Sequence, residues 1–181
     1  MRLVAIQGIY GSYSEAAAQQ MVGAGAELIE CRDFASTFQA VLSKGAERAV
    51  VPPRNKVIGE IEGVSDLIDY GGFEILDEFD LQITHVLAGI AAAAIEDVTT
   101  VRSHREALRQ CSEFLDANPR MKPVSDNDTA TSIRRIVGEN FNCNAAIGSE
   151  RAALFYGAKI LSRDVADEKD NWTTFGLIGR Q

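Results

Sequence analysis

An α/β fold, with mostly parallel sheet and helices on its faces, is what this sequence predicts. Three observations carry the prediction. Short β-type runs alternate with amphipathic helical stretches for most of the length. The 181 residues are 46% hydrophobic and 24% charged, with 15 Gly and 4 Pro, which is too apolar for a disordered chain and too mixed for low complexity. A chain of this length makes one domain or two small lobes and buries roughly 70% of its unfolded surface.

The elements follow in order. LVAIQ at 3–7 reads as a buried strand, with a helix after it at about 13–24. ELIEC at 27–31 is a second strand, leading to a helix over about 34–44 that Gly45 closes. RAVVP at 48–52 is a third strand, followed by a loop and a helix over about 61–70. The middle differs: 73–90 carries long alternating β-type sequence with no helix break, so the chain crosses there into a second lobe. TTVRS (99–103), a helix over 104–117, MKPVS (121–125), a helix near 129–138 and NAAIG (144–148) resume the alternation. A helix over about 149–156 stops at Gly157, and AKILS (158–162), a polar stretch and a last strand at 172–179 complete the chain. These readings set a first lobe at about 1–78 plus 165–181 and a second at about 79–164.

Charge and cysteine usage exclude several function classes. With 18 basic against 26 acidic residues, net −8, and no basic run, the chain is a poor nucleic-acid or anionic-membrane binder. No apolar run approaches the ~18 residues that span a bilayer, and the start is too short for a signal peptide, which points to the cytoplasm. Cys31, Cys111 and Cys143 have neither pairing nor CxxC spacing and read as buried small hydrophobes. His85 and His104, the only two histidines, lie too far apart in sequence to suggest a metal site. His85 reads as a buried strand residue and His104 as a solvated first-turn residue.

Several helix starts carry small polar residues at a strand's carboxyl end. Ser12-Tyr-Ser-Glu15 and Ser103-His-Arg-Glu106 fit the capping box, and Ser149 and the run 126–129 precede two more helices. Individually these are local caps worth about 1 kcal/mol each. Collectively, helix starts outside strand carboxyl ends make anion sites, with Gly8 and Gly11 allowing close backbone approach. GIYGSYSE is not GxGxxG and lacks a P-loop lysine, so a nucleotide is disfavoured.

In their order, these motifs resemble those of prephenate dehydratases. GIYGSYSEAA (8–17) resembles the family's GPxGTFSExAA, and VVPPRNKVIGEI (50–61) stands where it has VVPIENSxEGxV. ITHVLAG (83–89), RSHREALRQCSEFL (102–115) and DNDTATSIRRI (126–136) are similar to IxHxLL, SHPQALxQC and STAEAAR segments. AAIGSERAALFYGAKILSRDVAD (145–167) is close to AAIASExAAxxYGLxVLxxxIxD, and NWTTFGLI (171–178) takes the place of NxTRFLVI. The resemblance covers essentially the whole chain. It implies two lobes like those of periplasmic binding proteins, an anionic substrate in the cleft between them, and no metal or organic cofactor. It also implies catalysis without the phenylalanine-sensing ACT domain usual in bacterial members. The family suggests dimers, but the apolar faces visible here are already used by an α/β core, so the oligomeric state stays open.

Prephenate loses CO2 and water to give phenylpyruvate, and positioning with preorganised hydrogen bonds should dominate such a reaction. Thr173 matches the threonine of the family's TRF motif, which donates to the departing hydroxyl. Read without the resemblance, it is equally an ordinary strand residue. Asn55 matches the Asn of ENS and would bind substrate, or else cap its own turn. Ser12, Ser103 and Thr129 match small hydroxyl positions, and Thr174 and Phe175 complete the site. Two departures stand out. Thr174 replaces the TRF arginine, removing a planar carboxylate partner. Arg54 and Lys56 replace the Glu and Ser of ENS, and either supplies the missing positive charge or faces solvent. The same departures resemble non-aromatising prephenate decarboxylases, which leave the hydroxyl in place. A non-catalytic binding protein for a small dicarboxylate is the third expectation.

Overall fold

Residues 3–180 are described by the computed structural model, and the β-type runs of the first third all enter one sheet. That sheet holds β1 (Leu3–Gln7), β2 (Glu27–Cys31), β3 (Arg48–Asn55), the short β4 (Gly59–Glu60), β5 (Glu74–Gln82) and the last strand, β11 (Trp172–Gly179). Its order is β2-β1-β3-β11-β5, with β4 on the end of β3. β1 runs parallel to β2 and β3, whereas β11 runs antiparallel to both β3 and β5.

Helices cover both faces, as the alternation predicts. Ala17 and Ala18 of α1 (Tyr13–Val22) pack with Val4, Ile6, Val50, Phe175 and Leu177. Phe38 and Val41 of α2 (Phe34–Leu42) and Ile68 of α3 (Val64–Gly71) pack on the other face with Ala5, Val51 and Ile178. There Phe38 meets Phe73 edge to face, ring centroids 5.0 Å apart. Full burial of such a ring contributes about 1.5–3 kcal/mol. These strands, both helix-covered, are apolar on both sides, which is why 3–7 and 48–52 read as continuous apolar runs.

β3 continues beyond the predicted 48–52 through two prolines. Thr174 stands opposite Arg54 and Gly176 opposite Val51, so Pro52 and Pro53 share the position opposite Phe175. This is a β-bulge, the place where a residue without an N–H is tolerated inside a sheet. Beyond it, β4 pairs with Arg54 and Asn55, and Ile61 donates to the Pro53 carbonyl at 3.0 Å. These pairings consume residues 59–61 and delay α3 past the predicted start at 61.

The second sheet contains β6 (Val86–Gly89), β7 (Thr100–His104), β8 (Lys122–Asp126), β9 (Asn144–Gly148) and β10 (Lys159–Ser162), in the order β10-β6-β9-β7-β8. β7 is parallel to β8 and β9, and β6 is antiparallel to β9 and β10. α4 (Arg105–Arg109), α5 (Ser112–Ala117), α6 (Thr129–Glu139) and α7 (Glu150–Tyr156) accompany it. Leu87, Val101, Leu108, Cys111, Met121, Ala145 and Ile147 form one core, and Ile133 and Ile136 bury the apolar stripe of α6. The chain divides into two compact units. One runs to Ile9 and adds Tyr13–Ile83 and the residues from Asn171 onward; the other holds Tyr10–Ser12 and Thr84–Asp170.

Two predicted elements and two single-residue expectations come out differently. The continuous β-type run 73–90 is two strands in two sheets, broken over residues 83–85. His85 therefore lies between strands rather than in one; it is buried, with Nε2 3.1 Å from Gln110 Oε1. Burial holds its pKa below the usual imidazole value, and the Gln110 contact offsets part of that. The single helix expected over 104–117 is two helices. The Asp167 carboxylate accepts from the Ser112 N–H at 3.1 Å, the Ser112 hydroxyl at 2.7 Å and the Glu113 N–H at 3.1 Å, while the Asp167 N–H donates to Gln110 O at 2.7 Å. A remote side chain thus starts α5 anew. Of the three cysteines read as buried, Cys31 and Cys111 are so, and Cys143 is exposed. Burial, helped by the Asp167 charge, pushes the Cys111 thiol up to about 12.

Candidate active site

The ends of β3 and β11 bring together five of the residues singled out from the sequence. Asn55 ends β3 at the carboxyl side of the parallel strands, where open α/β sheets bind their ligands. Its register partner on β11 is Thr173. Asn55 Oδ1 accepts from the Val57 and Ile58 N–H groups at 2.9 and 3.1 Å, which caps the turn after β3. Asn55 Nδ2 donates to Thr173 Oγ1 and to Asn171 Oδ1, both at 2.8 Å. Two donors and two acceptor positions are the whole capacity of an amide side chain, so Asn55 is saturated inside the protein. It caps its own turn and also holds Thr173.

Thr173 is nearly buried and receives a hydrogen bond on its oxygen. Its own proton has no acceptor among the described residues, so the hydroxyl is poised to donate elsewhere. The β-branch stiffens χ1 and helps keep the group in place.

Thr174 points to the other face of the strand, as successive strand residues must. Its register partners are Arg54 and Asp80. The Thr174 hydroxyl donates to Asp80 Oδ1 at 2.6 Å and accepts from Arg54 Nε at 3.1 Å, and Arg54 Nη2 lies 3.6 Å from Glu78 Oε2. The guanidinium therefore rests on the residue that occupies the motif's arginine position. Arg54, Asn55, Lys56, Asp80, Trp172 and Thr174 line a hollow of about 340 Å³. The Lys56 N–H donates to the Trp172 carbonyl at 2.8 Å, tying the two strand ends together. Thr173 and Phe175 do not line this hollow, and Phe175 is buried in the α1-side core.

Ser12, Ser103 and Thr129 fall in the second unit. Within it they gather around the carboxyl end of β9. The fully buried Ser103 hydroxyl donates to Ile147 O at 2.7 Å. The Thr129 carbonyl would lie 3.2 Å from a Cβ on Gly148. Ser149, the predicted cap of α7, accepts from the Ala152 N–H at 3.0 Å and donates to Gly11 O at 2.9 Å, beside Ser12. The Ser103 capping box does not form: Ser103 is still in β7, and His104 caps α4, its Nδ1 accepting from the Glu106 N–H at 3.3 Å. Ahead of α6 the capping residue is Asp128, which leaves Thr129 inside the first turn.

Asn171 and Asp80 were missed. Asn171 stands first in NWTTF, so its motif position was the available signal, and Asp80 had none beyond strand alternation. Among the described residues no group of three or more His, Cys, Asp or Glu could hold a metal ion, and no helix is long and apolar enough to cross a membrane.

The family model for prephenate dehydratase matches residues 4–181. The chain belongs to the prephenate dehydratase family. Arogenate dehydratase/prephenate dehydratase 2 of Arabidopsis thaliana, a chloroplastic protein, is 36% identical over 178 residues, which are 98% of this chain and 46% of that protein. The chain thus spans about half the length of the curated relatives it matches. A solved prephenate dehydratase from Arthrobacter aurescens, in complex with L-Phe, superposes with a TM-score of 0.89 at 27% identity, covering 99% of this chain and 60% of that one. A structure described as GqqA, a novel type of quorum quenching acylases, gives 0.85 at 29%, covering 99% and 64%. A periplasmic substrate-binding protein of an ABC transporter from Coxiella burnetii gives 0.51 at 11% identity, covering 99% and 84%, a likeness of fold alone. The α/β fold with two helix-flanked sheets expected from the family motifs is observed, but the sheets are mixed rather than mostly parallel, because β11 and β6 run antiparallel to both of their neighbours.

Proposed function

We propose that this chain catalyses the dehydratase reaction of its family, taking prephenate to phenylpyruvate with loss of CO2 and water. The observation that supports this most is the Thr173 hydroxyl, whose oxygen is occupied by Asn55 and whose proton is free to donate. A donor of this kind, fixed beforehand, lowers the barrier to hydroxide departure where charge develops on the leaving oxygen. Threonine is a weak acid, so the bond strengthens in the transition state rather than completing a proton transfer early. Arg54 and Lys56 supply positive charge on the Thr174 face of β11, and Ser12 and Thr129 offer hydroxyls in the second unit, where Ser103 is spent on the Ile147 carbonyl. No residue in this scheme needs a cofactor, because aromatisation drives the reaction.

A second reading, decarboxylation without loss of the hydroxyl, draws on Thr174. It stands in the arginine position and spends its proton on Asp80. One assay separates the two. Purified protein is incubated with prephenate, and with arogenate in parallel, and the product is read by absorbance and mass. Phenylpyruvate from prephenate, or phenylalanine from arogenate, is the dehydratase outcome; a hydroxylated dihydro product is the other. Thr173→Ala should lower dehydratase kcat by about a hundredfold or more, the usual loss when one such donor is removed. Parental turnover in that variant would refute the role of Thr173.

A further inference from the structure

Asn171 sits at the junction into β11, is 1% exposed, and uses its side chain and its main chain for different things. Its carbonyl accepts from the Ile83 N–H at 2.8 Å and closes the end of β5 against β11. That bond survives any side-chain substitution. Its Oδ1 accepts one of the two Asn55 Nδ2 hydrogens at 2.8 Å, and the other hydrogen goes to Thr173.

The two Nδ2 hydrogens lie in the amide plane at a fixed angle. Fixing one therefore aims the other. We infer that Asn171 is a positioning residue: it aims the Asn55 amide so that the remaining N–H holds the Thr173 oxygen and leaves the Thr173 proton free to donate. The inference rests on the reading of Thr173 as the donor to the leaving hydroxyl. Without Asn171, one buried N–H of Asn55 loses its acceptor, and the amide, held then at Oδ1 by the Val57 and Ile58 N–H groups and at Thr173, can turn about that anchor toward another acceptor. The Thr173 hydroxyl then samples orientations in which its proton points away from substrate. Substrate contacts made by other groups are untouched, so the effect falls on turnover and not on binding.

The experiment is steady-state kinetics on Asn171→Leu, Asn171→Asp and the double variant Asn171→Leu/Thr173→Ala. The leucine variant should lose about 10–100-fold in kcat with KM within about twofold of the parent, as a misplaced catalytic group does. Aspartate keeps an acceptor at the same reach and should restore kcat to within about fivefold. Adding Asn171→Leu to Thr173→Ala should change kcat no further, because both act through one hydroxyl. Parental kcat in Asn171→Leu, or an additive loss in the double variant, overturns the proposal. Should the leucine variant not fold, Asn171→Ser replaces it, and equal kcat in the serine and aspartate variants overturns the proposal instead. If the parent turns over neither prephenate nor arogenate, the functional reading fails by itself. The Asn55 side-chain NH2 resonances then decide: a shift in the serine variant and not in the aspartate variant supports positioning, and no difference refutes it.

Discussion

Arg54 and Thr174 have exchanged parts. The motif's arginine position carries a hydroxyl, and a guanidinium reaches that hydroxyl from the neighbouring strand. That guanidinium lies 3.6 Å from Glu78, and the hydroxyl it touches donates to Asp80. Arg54→Ala should weaken prephenate binding more than tenfold, about 1.4 kcal/mol, in a calorimetric titration. Unchanged affinity would leave Arg54 as a solvent-facing partner of Glu78. The types of these residues could be read directly, since Thr173, Asn55 and the two cations sit in recognisable motifs. Their partners could not. Whether Asn55 reaches Thr173 or Asp80 reaches Thr174 depends on the β3–β11–β5 register, and a shift of one residue would reverse every facing. Asn55 was given substrate binding or capping of its own turn; it caps the turn, and its two donors go to Thr173 and Asn171. Cys143 was misjudged for a simpler reason: residue type predicts burial only on average.

Among the elements, alternation of strand and helix was plainest at the inner strands β1, β3 and β9, which are buried on both faces and so read as apolar runs, while the outer β2 and β8 are more polar and exposed. The breaks were not plain. The 104–117 segment has helix formers throughout, and what divides it is a carboxylate 55 residues away in sequence from Ser112. Removing that group tests the account. Asp167→Ala should cost about 1 kcal/mol of stability, as loss of a helix cap does, and should speed amide exchange at Ser112 and Glu113 ahead of the rest of the second sheet. If α5 keeps its protection, local sequence and not Asp167 sets its start. The bulge at Pro52–Pro53 teaches the same lesson from the other side. Two prolines end a strand by rule, and here antiparallel pairing with β11 carries the strand past them.

For the molecule as a whole, the decisive feature is where β11 lies. It runs between β3 and β5, paired on both sides, although it is made from residues 172–179. Truncation after Asp170 should strip exchange protection from β3 and β5 and abolish cooperative unfolding of the first unit, as followed by circular dichroism and hydrogen exchange. Retained cooperativity would mean that this sheet closes without its middle strand. Nothing in the periodicity of 172–179 distinguishes a central strand from an edge one; only its apolar length hints at cover on both faces.

That placement also sets a timetable for synthesis. Residues 84–170 can leave the ribosome and complete their sheet before the first unit has its middle strand. Until residue 179 emerges, β3 and β5 present bare edges of the kind that seed aggregation. The nascent chain is therefore most exposed to misassembly over its first half, and for as long as the second half takes to be translated.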